Sequence, residues 1–473
     1  MRKQYVSVFL PLILFMLVLA APASFFHMPG LTIVEQRVLA IFVLAAFCWI
    51  LEPIPIFATS VAIIVLELFM ISKSGLPVML SGQEAEGFGK LLSYQEIMAT
   101  FASPIIMLFL GGFFLAMAAT KYRLDLNLAR VLLKPFGANP KVIMLGLMMV
   151  TALFSMFMSN TATTAMMLSL LAPVLAVLPA DDPGRVAFAL SIPISANIGG
   201  LGTPIGTPPN VIGLKFIAEQ VSISFGKWML FGVPFVIIML VFAWWVLCRL
   251  FAPRQKTVEL VISGKFMKSW RAYVTYVTFA ATILMWLLSD LHGINTYVVA
   301  MIPVGVFTAT GIITKEDLKS ISWDVLWLLS GGIALGLALE KTGLASRMVS
   351  SIPFGSFGPF IVLLAAMFIA NFMSNFISNT ATANLLMPIM AALAAGLSGL
   401  EPFGGSAGLL LAVVFSCSLG MCLPISTPPN ALASATGVIE TRSMAIVGLC
   451  IAVVGSVGVL VMLRLLSLFG VIG

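Results

Sequence analysis

Two short polar clusters interrupt otherwise apolar stretches of this chain, and each occurs twice. Ser159-Asn160-Thr161-Ala162-Thr163 recurs as Ser378-Asn379-Thr380-Ala381-Thr382, 378 − 159 = 219 positions later. Thr207-Pro208-Pro209-Asn210 recurs as Thr427-Pro428-Pro429-Asn430, 427 − 207 = 220 positions later. Asn and Ser are neutral: they offer carbonyl and hydroxyl oxygens to a cation, and N–H and O–H groups to an anion. Paired prolines remove two amide donors and stop the preceding helix, while a new half-helix accepts proline in its first turn. The carbonyls of Gly206 and Ser426, just before each pair, are then free to coordinate an ion. Ser155 and Ser374 lie one helical turn before Ser159 and Ser378, on the same face, so each adds a hydroxyl oxygen.

The elements that position these groups follow from charge and length. Between Lys141 and Arg185 the only charges are Asp181 and Asp182, and between Arg347 and Glu401 there are none. An apolar arm of about 16 residues on each side of Ser159-Asn160-Thr161 makes roughly 24 Å of helix, against a hydrocarbon core of about 30 Å. Such arms fit a re-entrant hairpin with the polar cluster at its tip, and the second copy repeats the pattern. There one helix ends with free carbonyls, suited to a cation, and the next begins with free N–H groups, suited to an anion. Non-helical backbone survives at membrane depth only where protein or water surrounds it. One Ser-Asn-Thr would ordinarily be glue between helices and one Pro-Pro a kink. Doubling of both at one spacing points to a site.

Composition agrees. The chain has 473 residues, 60% hydrophobic and 9% charged, with a mean hydropathy of +1.12. A soluble domain carries about 25% charged residues, so the solvent here is lipid. The net charge of +7 sits in short loops, as the positive-inside rule predicts, and no nucleic-acid partner is expected. The five cysteines lack metal-ligand spacing and read as packing residues. His27 and His292 fall in loops. Glu67 is expected near the membrane interface. No catalytic Ser/His, Asp pair or His-Glu-x-x-His pattern occurs in the spans, so an enzyme is not expected. A channel could also use paired hairpins, but here each tip faces its own broken helix.

Membrane-length spans are expected at about 5–26, 35–51, 54–72, 97–120, 228–250, 272–290, 295–313, 322–340 and 444–469. The basic clusters from Lys121 to Lys141, opposed by Asp125, and from Arg249 to Arg271, opposed by Glu259, should face the cytoplasm. The run from Tyr5 to Ala21 is expected to be the first membrane helix, although Ala21-Pro22-Ala23 has the small-residue pattern of a signal-peptidase site. Residues 121–135 read as an amphipathic surface helix. Gly111-Gly112 recurs as Gly331-Gly332, 331 − 111 = 220 positions later, and is assigned to close helix packing.

Each repeat holds five crossings, so the second enters from the opposite side: an inverted repeat, as in many secondary transporters. The expected fold is all-α and polytopic, with about eleven transmembrane helices, two re-entrant hairpins and two broken helices. A first helix (1–34) precedes repeat 1 (35–252), with hairpin 141–180 and broken helix 185–219. A basic linker (253–271) precedes repeat 2 (272–473), with hairpin 357–400 and broken helix 405–440. The N-terminus is expected in the cytoplasm and the C-terminus outside.

These motifs, with Leu51-Glu52-Pro53-Ile54-Pro55, resemble the divalent anion:sodium symporter family, which carries dicarboxylates, citrate and sulfate. The resemblance covers nearly the whole chain. It implies a homodimer in the cell membrane, an elevator mechanism, sodium as coupling ion and no organic cofactor. It implies one sodium site from Ser155, Ser159, Asn160 and the Gly206 carbonyl, and another from Ser374, the Ile377 carbonyl, Asn379 and the Ser426 carbonyl. It places the substrate against Ser159, Asn160, Thr161, Thr207, Pro208, Ser378, Asn379, Thr380, Thr427 and Pro428. The absence of Lys or Arg from the motifs favours sodium coupling over exchange. The expected activity is sodium-coupled symport of a C4-dicarboxylate such as succinate, malate or fumarate. A sodium-independent exchanger and a citrate or sulfate carrier are the alternatives.

Overall fold

The computed structural model describes residues 2–258, 265–351 and 358–472. Residues 259–264 of the expected linker, Glu259 among them, lie outside the described residues, as do residue 357 at the expected start of the second hairpin and residues 1 and 473. The described chain is helical, with one isolated bridge between Ser72 and Leu92.

Helices α1 (Arg2–Ala20) and α2 (Ile33–Leu51) pack together, and α2 opens on a capping box in which Thr32 and Glu35 satisfy each other's backbone N–H groups. Pro55 then starts α3 (Ile56–Met70). The span expected at 97–120 is interrupted: a turn at Thr100–Ala102 precedes α4 (Pro104–Lys121), which begins at a proline. The surface helix is shorter than expected, α5 (Leu124–Leu133). Next come α6 (Pro140–Ser155), α7 (Asn160–Val177), α8 (Gly184–Gly199), α9 (Pro208–Ile217), α10 (Phe225–Leu250) and α11 (Trp270–Leu287). The span expected at 295–313 is two pieces, Thr296–Val299 and α12 (Met301–Ala309). The chain continues with α13 (Trp323–Thr342), α14 (Pro359–Ser374), α15 (Asn379–Gly396), α16 (Gly405–Leu419), α17 (Pro428–Ser434) and α18 (Thr441–Leu468).

The repeat is visible in the helix boundaries. Adding 219 to the ends of α6 and α7 gives 140 + 219 = 359, 155 + 219 = 374, 160 + 219 = 379 and 177 + 219 = 396, the ends of α14 and α15. Each first arm starts at a proline in its first turn, where no amide donor is lost. Helices α6 and α14 pack on α8 and α16 of their own repeats, whereas α9 packs on α15 and α17 on α7, so the two halves interlock. A second, smaller apolar cluster unites α2, α3 and α13.

The paired glycines sit where helices touch. A Cβ at Gly111 would stand 2.3 Å from the Ala300 carbonyl oxygen, and one at Gly331 2.3 Å from Ser60 Cβ, inside any allowed contact. Three ion pairs tie loops that the expected topology puts on a common side: Lys121 with Asp317 at 2.5 Å, Arg254 with Asp181 at 2.9 Å, and Arg347 with Glu35 at 2.9 Å. Glu67 is 0% exposed and neither carboxylate oxygen has a hydrogen-bond partner; its helix, α3, packs along α13.

Candidate functional site

The two polar tips and the two breaks converge on one cavity of about 440 Å³. In the first tip α6 stops at Ser155, and α7 restarts at Asn160 with Ser159 as its N-cap residue. Ser378 holds the same place before Asn379, and its hydroxyl accepts the Ala381 N–H at 3.1 Å. Ser159 makes no such cap. A hydroxyl that accepts a backbone N–H still has its own proton to donate. The broken helices restart at Pro208 and Pro428, with extended Thr207 (φ −147°) and Thr427 (φ −143°) before them.

Ser159, Asn160, Thr161, Thr207, Pro208, Ser378, Asn379, Thr380, Thr427 and Pro428 all line the cavity, with Gly206 and Ser426. Ser155, Ser374 and Ile377 do not; they are buried behind the tips. Ser155 Oγ donates to Asn160 Oδ1 at 2.5 Å and lies 2.7 Å from the Ala196 carbonyl, so three oxygens converge. A Cβ at Gly200 would stand 3.0 Å from Asn160 Oδ1 and 3.1 Å from the Gly206 carbonyl. Bare backbone at Gly200 therefore lets these oxygens approach. In the second half, buried Ser374 Oγ has no oxygen or nitrogen partner and Asn379 Oδ1 has none at all. Orphaned oxygens in a buried turn suit a cation that would take them as ligands. Ile377 turns its side chain into the apolar cluster of α2, α3 and α13.

The asparagines of the Thr-Pro-Pro-Asn motifs have a structural job that sequence reasoning missed. Asn210 Nδ2 donates to the carbonyls of Gly200 (2.9 Å) and Thr203 (2.8 Å); Asn430 Nδ2 donates to those of Met421 (2.9 Å) and Leu423 (3.0 Å). Each staples its own break shut, satisfying carbonyls that the interrupted helix strands. Asn197 was also missed. Its Nδ2 donates to Thr427 Oγ1 and Asn430 Oδ1, both at 3.1 Å, joining the repeats at the cavity wall. Each break is tied to its own tip as well: Thr203 Oγ1 donates to the Met156 carbonyl, and Asn375 Oδ1 accepts the Cys422 N–H at 2.7 Å.

The remaining wall comes from the starts of α3 and α13 and the middle of α4: Pro55, Phe57, Phe109, Phe113 and Val325, with Asp324 as the one charged lining side chain among the described residues. A second crevice, of about 450 Å³, lies between the α9–α10 connection and residues 289–297. Pro204 lines this crevice while Ile205 and Gly206 line the central cavity, so the first break is the partition between them.

Residues 46–404 match the family model described as Citrate transporter. An uncharacterized transporter of Haemophilus influenzae is 32% identical over 400 residues, covering 79% of this chain and 84% of its own length. The sodium-dependent dicarboxylate transporter SdcS of Staphylococcus saprophyticus is 30% identical over 450 residues, covering 87% of this chain and 82% of its own. The YdaH transporter of Alcanivorax borkumensis, a solved structure, matches with a TM-score of 0.55 at 12% identity, over 92% of this chain and 98% of that one. At that identity the likeness concerns the fold. The cavity, the helical fold and these matches converge: the chain is a multi-pass membrane transporter and belongs to the divalent anion:sodium symporter family.

Proposed function

We propose that the protein moves a C4-dicarboxylate such as succinate, malate or fumarate across the cell membrane together with sodium. The observation that carries this reading is the convergence of both Ser-Asn-Thr tips and both breaks on one cavity with no cationic lining side chain among the described residues. A dianion there has neutral donors at two pseudo-symmetric ends and no fixed countercharge, so mobile cations must supply it. One sodium ion is assigned to Ser155, Ser159, Asn160 and the Gly206 carbonyl, the other to Ser374, the Ile377 carbonyl, Asn379 and the Ser426 carbonyl. The hydroxyls of Ser159, Thr161, Thr207, Ser378, Thr380 and Thr427 and the amides of Asn160 and Asn379 donate to the two carboxylates, while Pro208 and Pro428 shape the wall. Neutral donors also release an anion more readily than an arginine clamp would. Two relatives bearing the name sodium-dependent dicarboxylate transporter, from Staphylococcus saprophyticus and Staphylococcus aureus, support sodium and dicarboxylate together.

The hairpins and broken helices (α6–α9 and α14–α17) form the moving body of an elevator, riding on a scaffold of α1–α4 and α11–α13 that dimerises. Support for this division is the polar tie from each break to its own tip and the Asn197 bridge between repeats. With the N-terminus in the cytoplasm and the C-terminus outside, the exposed mouth at Pro55, Phe57 and Asp324 faces the cytoplasm, an inward-open state.

Competition tests the cargo. Excess succinate should block uptake of labelled malate, while acetate, which leaves one set of donors unpaired at about 1–3 kcal/mol per lost partner, should compete poorly. If sulfate competes best, the dicarboxylate assignment is wrong even where sodium coupling stands.

A further inference from the structure

Behind the first hairpin runs a groove of about 370 Å³ whose lining side chains are all apolar. Its long walls are α6 and α10, which pack on each other, with Leu132 and Phe136 from α5 and the turn after it. On α10 the lining residues Met229, Val233, Ile237 and Val241 are spaced by four and form one ridge of the helix. The same row continues through Trp245 to Arg249. On α6 the lining residues Leu145, Met149 and Leu153 form a matching row, and one step back lies Lys141. The two rows end at one level, because Trp244 Nε1 donates to the Lys141 carbonyl at 2.8 Å. There the Arg249 guanidinium lies 5.7 Å from the Trp245 ring centroid, and neither Lys141 nor Arg249 has a carboxylate partner among the described residues. Met149, Leu153, Ile237 and Val241 are exposed, so the groove opens toward lipid. From Met229 to Val241 is 241 − 229 = 12 residues, or about 18 Å of helix. That is close to one leaflet of a hydrocarbon core about 30 Å thick. The tryptophan and the two cations therefore stand at headgroup depth.

We propose that this groove holds one anionic phospholipid of the membrane, with an acyl chain lying between α6 and α10 and the headgroup phosphate held by Lys141 and Arg249. Two cations without a carboxylate partner favour a headgroup of net negative charge over a zwitterionic one. The far end of the groove is formed by Met156 and Phe157. The Met156 carbonyl accepts from Thr203 of the first break, and Phe157 also lines the central cavity. The end of the chain therefore lies directly behind the first tip. Binding needs neither cargo nor coupling ion, so it stands apart from the dicarboxylate and sodium assignments.

The test places the full chain in phosphatidylcholine vesicles with a trace of phosphatidylglycerol that carries a photoreactive acyl chain, and maps the labelled peptides by mass spectrometry. Helix α18, with exposed Leu449, Val453 and Val457, is the bulk-lipid reference. Residues 145–157 and 229–241 should be labelled well above α18. Lys141→Gln and Arg249→Gln should each lower that excess about fivefold, since a basic residue at the headgroup level contributes that much to anionic-lipid binding. Ile237→Trp fills the groove and leaves both cations, and should bring its labelling down to the α18 level; Val241→Trp takes its place if that variant does not yield folded protein. A phosphatidylcholine probe of the same chain should label groove and α18 alike. Equal labelling of groove and α18 by the anionic probe overturns the proposal. So does a groove labelled equally by both probes, or one whose labelling is unchanged in both charge variants, because the headgroup is then not recognised. Groove peptides shielded from both probes would mean that protein covers the groove, which overturns it too.

Discussion

Asn379→Ala is expected to raise the sodium concentration for half-maximal uptake by about 10- to 150-fold. The substitution removes a buried oxygen that has no partner in the protein and that the proposed second site gives to sodium. An interaction with a charged group is worth about 1.5–3 kcal/mol, which sets that range at about 1.4 kcal/mol per tenfold. Uptake at saturating sodium should fall much less. Asn160→Ala should act in the same direction through the first site, where its oxygen now accepts from Ser155. Sodium titrations of uptake decide this. An unchanged half-saturation with lowered maximal uptake would remove Asn379 from the ion site and leave it a structural role.

Locking the second hairpin to the scaffold is expected to abolish transport. Asn384 of α15 donates to the Leu328 carbonyl of α13 at 3.2 Å, and the same carbonyl accepts from Ser60 of α3 at 3.4 Å. The hairpin therefore meets the scaffold through this polar contact and through the packing of Ile377, Ala381 and Leu385 into the apolar cluster of α2, α3 and α13, all of which sliding would break. A disulfide between cysteines at Gly332 and Asn384 ties the two bodies across that contact. Uptake should drop to background on oxidation and return when the disulfide is reduced. The reduced double variant is the control for loss of the Asn384 bond. Undiminished uptake by protein verified as cross-linked would mean that these bodies do not slide past one another.

Much of this architecture is legible because its signals are local and duplicated. The hairpin expected at 141–180 is Pro140–Val177, since a proline marks its start and the polar tip its middle. The broken helix expected to reach 440 stops at Ser434, ahead of Gly437 with φ +70°. Duplication also set the limit of what could be read. Position 197 + 220 = 417 holds Cys417, and 375 − 219 = 156 holds Met156, so neither Asn197 nor Asn375 has a polar twin to reveal it. The burial of Glu67 within the protein is hidden for another reason: α13, which packs along its helix, begins at Trp323, 323 − 67 = 256 positions later, and a hydropathy window does not see that contact.

Sodium-driven uptake into proteoliposomes tests the central claim most directly. The purified protein, given labelled succinate outside and an inward sodium gradient, should accumulate succinate above its outside concentration. Replacing sodium with choline should abolish the accumulation, and collapsing the gradient should release it. Equal uptake in choline would contradict sodium coupling. Uptake that occurs only when a dicarboxylate is loaded inside, whatever the cation, would make the protein an exchanger instead.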